Sequence, residues 1–599
     1  MPQDLTIEFG NISQTPTIFP NREGELEVTV TNQGDENVTD AAFNLYASTD
    51  AVLDDEVLNT NNDKIEGTDI NVLQGTDELL GTMDGVSLAA GEESTFTVDF
   101  ASDEFRNPSV VSAGAYNLIA EVDSDNDIDE GNDRATQFIS VEDTDVVLDW
   151  NSVFLNAVQA EGKAERGDEF PEDAMTLDAI PGVAPPVEAR NAAILHLAVY
   201  DAVHALGEDF DPDSSYLEEN LPEVPEGASQ EAAAVGAAYQ VVSELFPEPE
   251  QQETFDRQRE RSLADIDDES SAIDAGFDFG VEVGEAILEQ RSNDFAANAQ
   301  RPYDPGTDPG DYQEKVEPRP DTPPEELDEN GLEETTALLP DWGMVTPFAI
   351  DSVASFRAPR IPDFGSPDYA EDIDEVREKG LLTDTEDTTV DRTEDETQIA
   401  QFWSYDRPDT FRPPGQWNQI TQEVILNQED LNPEDPTSLE DNARTFALLN
   451  VAMADAGIAA WEGKYFYDQL RPITAIRNAA DSDNNPDTDV DPNWEPLLPT
   501  PNFPDYISGH ATFGGAAAGV LENLFEEESF EELVLPSQEL PGVTRSYLGS
   551  GEVSSFEKAA IENAESRELG GVHVEISNSV GLDIGFDVAD SVINSDLFS

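Results

Sequence analysis

Hydrophobic positions along the chain follow two periods, and the change between them falls near residue 145. Up to that point apolar and polar residues alternate: Leu26, Val28 and Val30 in GELEVTVTN, then Phe43 and Leu45, Phe96, Val98 and Phe100, and Tyr116, Leu118, Ala120 and Val122. A period of two broken by Gly, Asn and Asp turns predicts short strands with one buried face. Their spacing predicts an all-β immunoglobulin-like sandwich of about seven strands. From Trp150 the period is helical. Glu188–Leu206, Gln230–Leu245 and Ala272–Gln290 read as long helices, and Arg301–Pro324 as a proline-punctuated strap. Trp342–Phe356 and Gln398–Leu426 resume packed structure. Phe446, Leu449, Met453, Gly457 and Ala460 form one helical stripe behind Ser438 and Asp441, a capping-box pair. Near the end, Ile576, Val580, Ile584, Val588 and Val592 recur every four residues. The expected chain is multidomain: all-β over 1–145, then a large all-α helical bundle over 146–599.

Composition narrows the partners. Asp and Glu number 132 against 28 Lys and Arg, a net charge of −104. That balance excludes nucleic acid and opposes an anionic membrane. With 38% hydrophobic residues the chain reads as folded, and its carboxylate-rich surface as an adaptation to strong salt. Its melting temperature should therefore climb as salt rises from near zero to several molar; a curve indifferent to salt contradicts the halophilic reading. The chain has no cysteine, which rules out disulfides and thiolate chemistry. No apolar run is long enough to span a membrane. The opening MPQDLTIEFG lacks a leader pattern, so the expectation is a cytoplasmic protein, or an exported one whose leader is gone.

The chemistry concentrates in three phrases: KYFYDQLRP (Lys464 to Pro472), YISGHATFGGAAAG (Tyr506 to Gly519) and SRELGGVHV (Ser566 to Val574). They supply Lys464, Arg471 and Arg567, the Ser508 hydroxyl, the Gly509 amide, and the imidazoles of His510 and His573. Many donors with few acceptors suit a tetrahedral oxyanion. Arg471 follows Lys464 by seven residues. That is close to two turns at about 3.6 residues each, so both are expected on one helix face. Ser508 and Gly509 open a small-residue helix, an N-terminal anion site. Gly570 and Gly571 should break the chain between Arg567 and His573. The remaining histidines, His196 and His204, are eight apart on one helix, not at the four-residue spacing of a metal pair, and read as core or interface residues. The acidic turn at Asp123, Asp125 and Asp127 lacks the Gly and Glu of a calcium loop, and Asp481–Asp491 carries Pro486 at the glycine position.

The three spaced phrases resemble the type-2 phosphatidic acid phosphatase superfamily, whose pattern is K-x6-RP, PSGH and SR-x5-H. Within it the chain is similar to the soluble vanadium-dependent haloperoxidases over roughly Leu148 to the C-terminus, with supporting phrases at Val187–Leu206, Leu338–Ile350 and Asn442–Trp461. Trp461 and Phe503 stand where chloroperoxidase-type members carry halide-site aromatics. VDSDNDIDEGND resembles the CARDB cell-adhesion-related domains, which favours an extracellular or cell-surface location and N-terminal surface contacts; a homo-oligomer is left open. The resemblance implies vanadate as cofactor, with vanadium bonded by His573 and its oxygens held by Lys464, Arg471, Arg567, Ser508 and Gly509. Hydrogen peroxide, deprotonated by His510 and polarised by Lys464, would oxidise chloride or bromide to hypohalous acid. A soluble acid phosphatase with His573 as nucleophile, and a silent adhesion protein, are the alternatives. Two positions depart from the pattern. Ile507 replaces the proline of PSGH, and Ser577 stands four after His573, where the superfamily often has a histidine-orienting aspartate. A hydroxyl or backbone carbonyl is expected to do that work, leaving vanadate loosely held and tightened by Ser577→Asp.

Overall fold

The computed structural model describes residues 5–12, 24–32, 38–48, 78–89, 93–100, 114–123, 134–141, 145–164, 182–207, 210, 212–266, 268–306, 308, 310–317, 331–362, 366–431, 437–482, 490–525, 533–540, 543–549 and 553–598. The chain divides into two compact units. One comprises Met1–Ala160, Val242–Ile266 and Leu540–Thr544, the other Glu161–Val241, Asp267–Glu539 and Arg545–Ser599.

The first unit contains β1 (Leu5–Ile12), β2 (Gly24–Asn32), β3 (Val38–Ser48), β4 (Glu78–Leu88), β5 (Glu93–Phe100), β6 (Gly114–Asp123) and β7 (Arg134–Val141). They form two antiparallel sheets, β1-β2-β5 and β4-β3-β6-β7. The alternating residues pair as their period demands: Leu26 opposite Val98 and Val28 opposite Phe96. Most of α1 (Val146–Ala164) lies in this unit too. Phe154 from it meets Phe246 edge to face, ring centroids 5.8 Å apart. The acidic turn at Asp125 and Asp127, read as lacking a calcium-loop pattern, and residues 483–489 of the second acidic loop lie outside the described residues.

The helical part continues with α2 (Pro185–Ala205), α3 (Gln230–Leu245), α4 (Pro249–Asp265), α5 (Ser270–Arg291), α6 (Pro367–Lys379), α7 (Glu394–Phe402), α8 (Arg412–Leu431) and α9 (Leu439–Tyr467). It closes with α10 (Pro472–Ser482), α11 (Gly509–Leu524), α12 (Ser555–Leu569) and α13 (Glu575–Ile593). In the second unit α9 is the axis. It is buried almost without a break from Asn442 to Lys464, as expected of a helix that is apolar all round. The Ser438 hydroxyl caps it by accepting the Asp441 N–H at 3.1 Å, the first half of the expected capping box. Helix α2 packs on α9, and α11 packs on α9, α12 and α13. The α11–α13 crossing needs glycine on both sides: a Cβ on Gly515 would lie 2.3 Å from the Leu582 carbonyl oxygen, and one on Gly585 2.3 Å from that of Thr512. No helix among the described residues is long and apolar enough to cross a membrane.

The shared helix face expected for Lys464 and Arg471 does not form. Helix α9 stops at Tyr467, and Asp468 turns left-handed at φ 53°, its N–H bonding back to the Lys464 carbonyl at 2.9 Å. Asp is among the residues that tolerate this conformation, and Pro472 opens α10. Arg471 thus sits in a short link, held by the strap. Tyr312 N–H donates to the Asp468 carbonyl, Leu470 N–H to that of Gly310, and the Tyr303 hydroxyl to the Asp468 carboxylate.

Candidate active site

Three chain breaks converge on one buried pocket. Lys464 comes from the last turn of α9, Arg471 from the link after it, Ser508 from the N-cap of α11, and Arg567 from the end of α12. Gly570 caps α12 and Gly571 takes φ 79°, so His573 enters just ahead of α13 as the paired glycines imply. Lys464, Arg471, Ser508, Arg567 and His573 are each at most 1% exposed, and His510 is 6% exposed.

The cations are held largely by neutral acceptors. Lys464 Nζ donates to the Pro504 and Asp505 carbonyls at 3.0 and 3.1 Å. Arg471 Nε donates to the Phe503 carbonyl at 2.7 Å and Nη1 to that of Val572 at 2.6 Å, with Nη1 also 3.2 Å from His573 Nε2. Arg567 Nη2 reaches Asp406 Oδ2 at 2.5 Å. Arg471 Nη2, Arg567 Nε and Nη1, and Ser508 Oγ have no hydrogen-bond partner among the described residues. Buried donors are rarely left so, and four of them around one pocket fit an anion. The electrostatics agree. Burial and Arg471 push Lys464 well below the lysine range, although Asp505 opposes them. Burial lowers Arg471 to about 10. Burial, then Arg471, Lys464 and Arg567, hold His573 well below the imidazole range. Burial and Arg567 bring His510 down to about 3. An anion among these groups relieves all four. Among the described residues no three His, Asp or Glu side chains converge as a cation site.

Two carboxylates at the site went unread in the sequence. Asp406, a quarter exposed, pairs with Arg567 and lies 3.9 Å from His510 Nε2. Burial would raise its pKa, but Arg567 and His510 pull it below the usual value. Asp505, 0% exposed, places Oδ1 2.5 Å from His573 Nδ1. Burial lifts it to about 7 against Arg471 and Lys464. Asp505 is the one acid in PNFPDYISGH, a usable signal; Asp406 in SYDRPDT carries none. The role read for Ser577 is overturned accordingly. Its hydroxyl donates to the Asp505 carbonyl at 3.1 Å, and a carboxylate already faces the histidine, so Ser577→Asp alone would crowd two acids rather than tighten the site.

The Trp461 and Phe503 rings meet at a tilt of 49° with centroids 5.0 Å apart, and Lys464 Nζ lies 4.8 Å from the Phe503 ring centre and 5.7 Å from that of Trp461. Gly509 opens α11, where a Cβ would come 3.3 Å from the Trp461 ring. The peptide between Tyr506 and Ile507 is cis. His196 is buried and His204 half-buried. The first stacks on Phe446 at 4.9 Å with burial lowering it to about 3; the second stacks on Tyr200 and lies 2.9 Å from Ser214 Oγ.

Comparison with known proteins agrees along the chain. Residues 168–331 match the vanadium chloroperoxidase N-terminal domain, 444–597 the VCPO second helical-bundle domain, and 2–136 the CARDB domain. The vanadium chloroperoxidase of Curvularia inaequalis is 29% identical over 421 residues, covering 61% of this chain and 67% of that protein. A bacterial vanadium-dependent iodoperoxidase structure is 25% identical with a TM-score of 0.54, covering 74% of this chain and 96% of that one. A holo bacterial vanadium-dependent chloroperoxidase shares the fold at 18% identity and a TM-score of 0.50, over 68% and 91% of the two chains. With both helical domains matched in order and the three motif phrases gathered at one pocket, the helical part of the chain is similar to the vanadium-dependent haloperoxidases, and its N-terminal stretch to the CARDB domain.

Proposed function

We propose that the protein oxidises halide with hydrogen peroxide to hypohalous acid, using vanadate held among Lys464, Arg471, Ser508, Gly509, Arg567 and His573. The observation that carries this reading is the set of buried, unpartnered donors on Arg471, Arg567 and Ser508. Bound vanadate supplies a Lewis acid that activates peroxide without a change of oxidation state. The protein supplies fixed charge where negative charge develops. The three cations, the Ser508 hydroxyl and the free N–H groups of the first turn of α11 hold oxygens. With His573 Nδ1 turned to Asp505, Nε2 is the nitrogen for vanadium. His510 Nε2 lies 2.7 Å from the Ser404 carbonyl oxygen, which can only accept, so that nitrogen carries the proton and Nδ1 is left to take one from peroxide. In the anion-free pocket burial and Arg567 keep His510 neutral but weakly basic, and an anion bound against Arg567 would raise it toward the range of a useful base.

Trp461 and Phe503 are proposed to line the halide site beside Lys464. On that reading Phe503→Ala reduces chloride oxidation several-fold more than bromide oxidation, because chloride depends more on a desolvated pocket. Steady-state rates with each halide check it, and equal losses place the halide elsewhere. The two N-terminal sheets are proposed to close as an immunoglobulin-like sandwich over 1–145, a surface for contacts outside the helical domain of 146–599.

The function is tested with purified protein, vanadate, peroxide and each halide, read by halogenation of an organic dye. Halogenation that requires vanadate supports it. No halogenation together with hydrolysis of a phosphate monoester assigns the pocket instead to an acid phosphatase with His573 as nucleophile.

A further inference from the structure

We infer that Asp505 is the residue that positions His573, and that Ser577 serves it by clamping the Asp505 peptide. The inference rests on the reading of His573 as the vanadium-bonding histidine. Its geometry is independent of that reading. The Asp505 main chain is pinned at three points: its N–H donates to the Gln469 carbonyl at 2.9 Å, and its carbonyl accepts from Lys464 Nζ and from Ser577 Oγ, each at 3.1 Å. Ser577 is fixed in turn, since its own carbonyl accepts the Ser508 N–H at 2.9 Å. The loop is therefore tied to α9, to α13 and to the cap of α11 together. So anchored, the Asp505 side chain puts Oδ1 2.5 Å from His573 Nδ1, both residues almost wholly buried. The Val574 N–H and the Ser577 hydroxyl approach the carboxylate and favour its charged form. Neither they nor the His573 ring meets Oδ1 or Oδ2 in full hydrogen-bond geometry, and the ion-pair contact of Oδ1 with His573 Nδ1 is the one the inference rests on.

A carboxylate against Nδ1 does two things. It selects the tautomer with the proton on Nδ1, which leaves Nε2 as the ring's acceptor, here 3.2 Å from Arg471 Nη1. It also makes the ring more basic and fixes its plane. The acid that orients the histidine thus comes from the loop before α11, not from the first turn of α13, where Ser577 stands.

The experiment titrates anion-free protein with orthovanadate by calorimetry, so that affinity is read without activity. Asp505→Ala lowers affinity about 10–100-fold, the range for loss of a group that orients a metal ligand. Adding Ser577→Asp to that variant returns a carboxylate from α13 and recovers most of the loss, whereas Ser577→Asp alone weakens binding. Selective 15N labelling of the four histidines gives a second readout. In vanadate-free wild type the His573 Nδ1 proton resonates far downfield, and the shape-preserving Asp505→Asn moves it upfield. Vanadate affinity of Asp505→Ala within about twofold of wild type, or a His573 signal unmoved in Asp505→Asn, overturns the inference. Wild type that binds no vanadate but shows the Asp505-dependent proton overturns the proposed function and leaves the positioning role standing.

Discussion

His573→Ala abolishes measurable vanadate binding while leaving phosphate binding nearly intact. Both anions meet the same cations, but only vanadate gains a bond from the imidazole nitrogen. Four-ligand metal sites are worth roughly 10–16 kcal/mol, so one ligand is worth about 3–4 kcal/mol, or on the order of 10²–10³ in affinity. The Arg471 guanidinium keeps its bond to the Val572 carbonyl in the variant, so the cationic wall survives. Parallel calorimetric titrations with orthovanadate and inorganic phosphate check the contrast. Equal losses for both anions show that His573 serves only as wall, and the haloperoxidase reading fails at its centre.

Asp406→Ala destabilises the vanadate-free protein by about 3 kcal/mol, the low end for removing one partner of a buried ion pair, because Asp406 itself is a quarter exposed. Arg567 is fully buried, and two of its three nitrogens already lack partners. Without Asp406 its charge has no hydrogen-bonded carboxylate left among the described residues. A tetrahedral anion supplies the compensation: at about 100 times its dissociation constant, a bound ligand adds about 2.7 kcal/mol. The variant should therefore melt lower than wild type and recover most of the difference in orthovanadate. A melting temperature unchanged by the substitution rules Asp406 out as the neutraliser of Arg567.

What the sequence disclosed and withheld follows from the range of each interaction. The α9 stripe and its Ser438 cap were legible because both are local: a period and a cap occupy neighbouring positions. The Gly570–Gly571 break was legible for the same reason, since paired glycines announce a turn whatever surrounds them. Lys464 and Arg471 come close together, but not by the shared helix face that their spacing suggests. Period alone says nothing about Asp468, whose left-handed turn is sustained by contacts from the strap more than 150 residues earlier. Asp505 and Asp406 were missed because a carboxylate acquires its role from what it faces. Among 132 acids the letter D alone does not separate a solvated surface residue from one aimed at a buried imidazole; for Asp505 the signal was its place as the one acid in PNFPDYISGH, and for Asp406 there was none. Ser577 was misread by analogy of position, a reading that only the course of the loop through Asp505 could correct.

The carbonyl oxygens of Phe503, Pro504, Asp505 and Val572 grip Lys464 and Arg471 without neutralising them. In terms of selectivity, such a pocket recognises charge and tetrahedral shape and is blind to the element at the centre. Phosphate, arsenate and sulfate are then competitors by construction, and phosphate buffer is an inhibitor of any reconstitution. On the proposed function, the choice of vanadium over phosphorus would fall to the one contact that is not electrostatic, the lone pair of a single imidazole nitrogen.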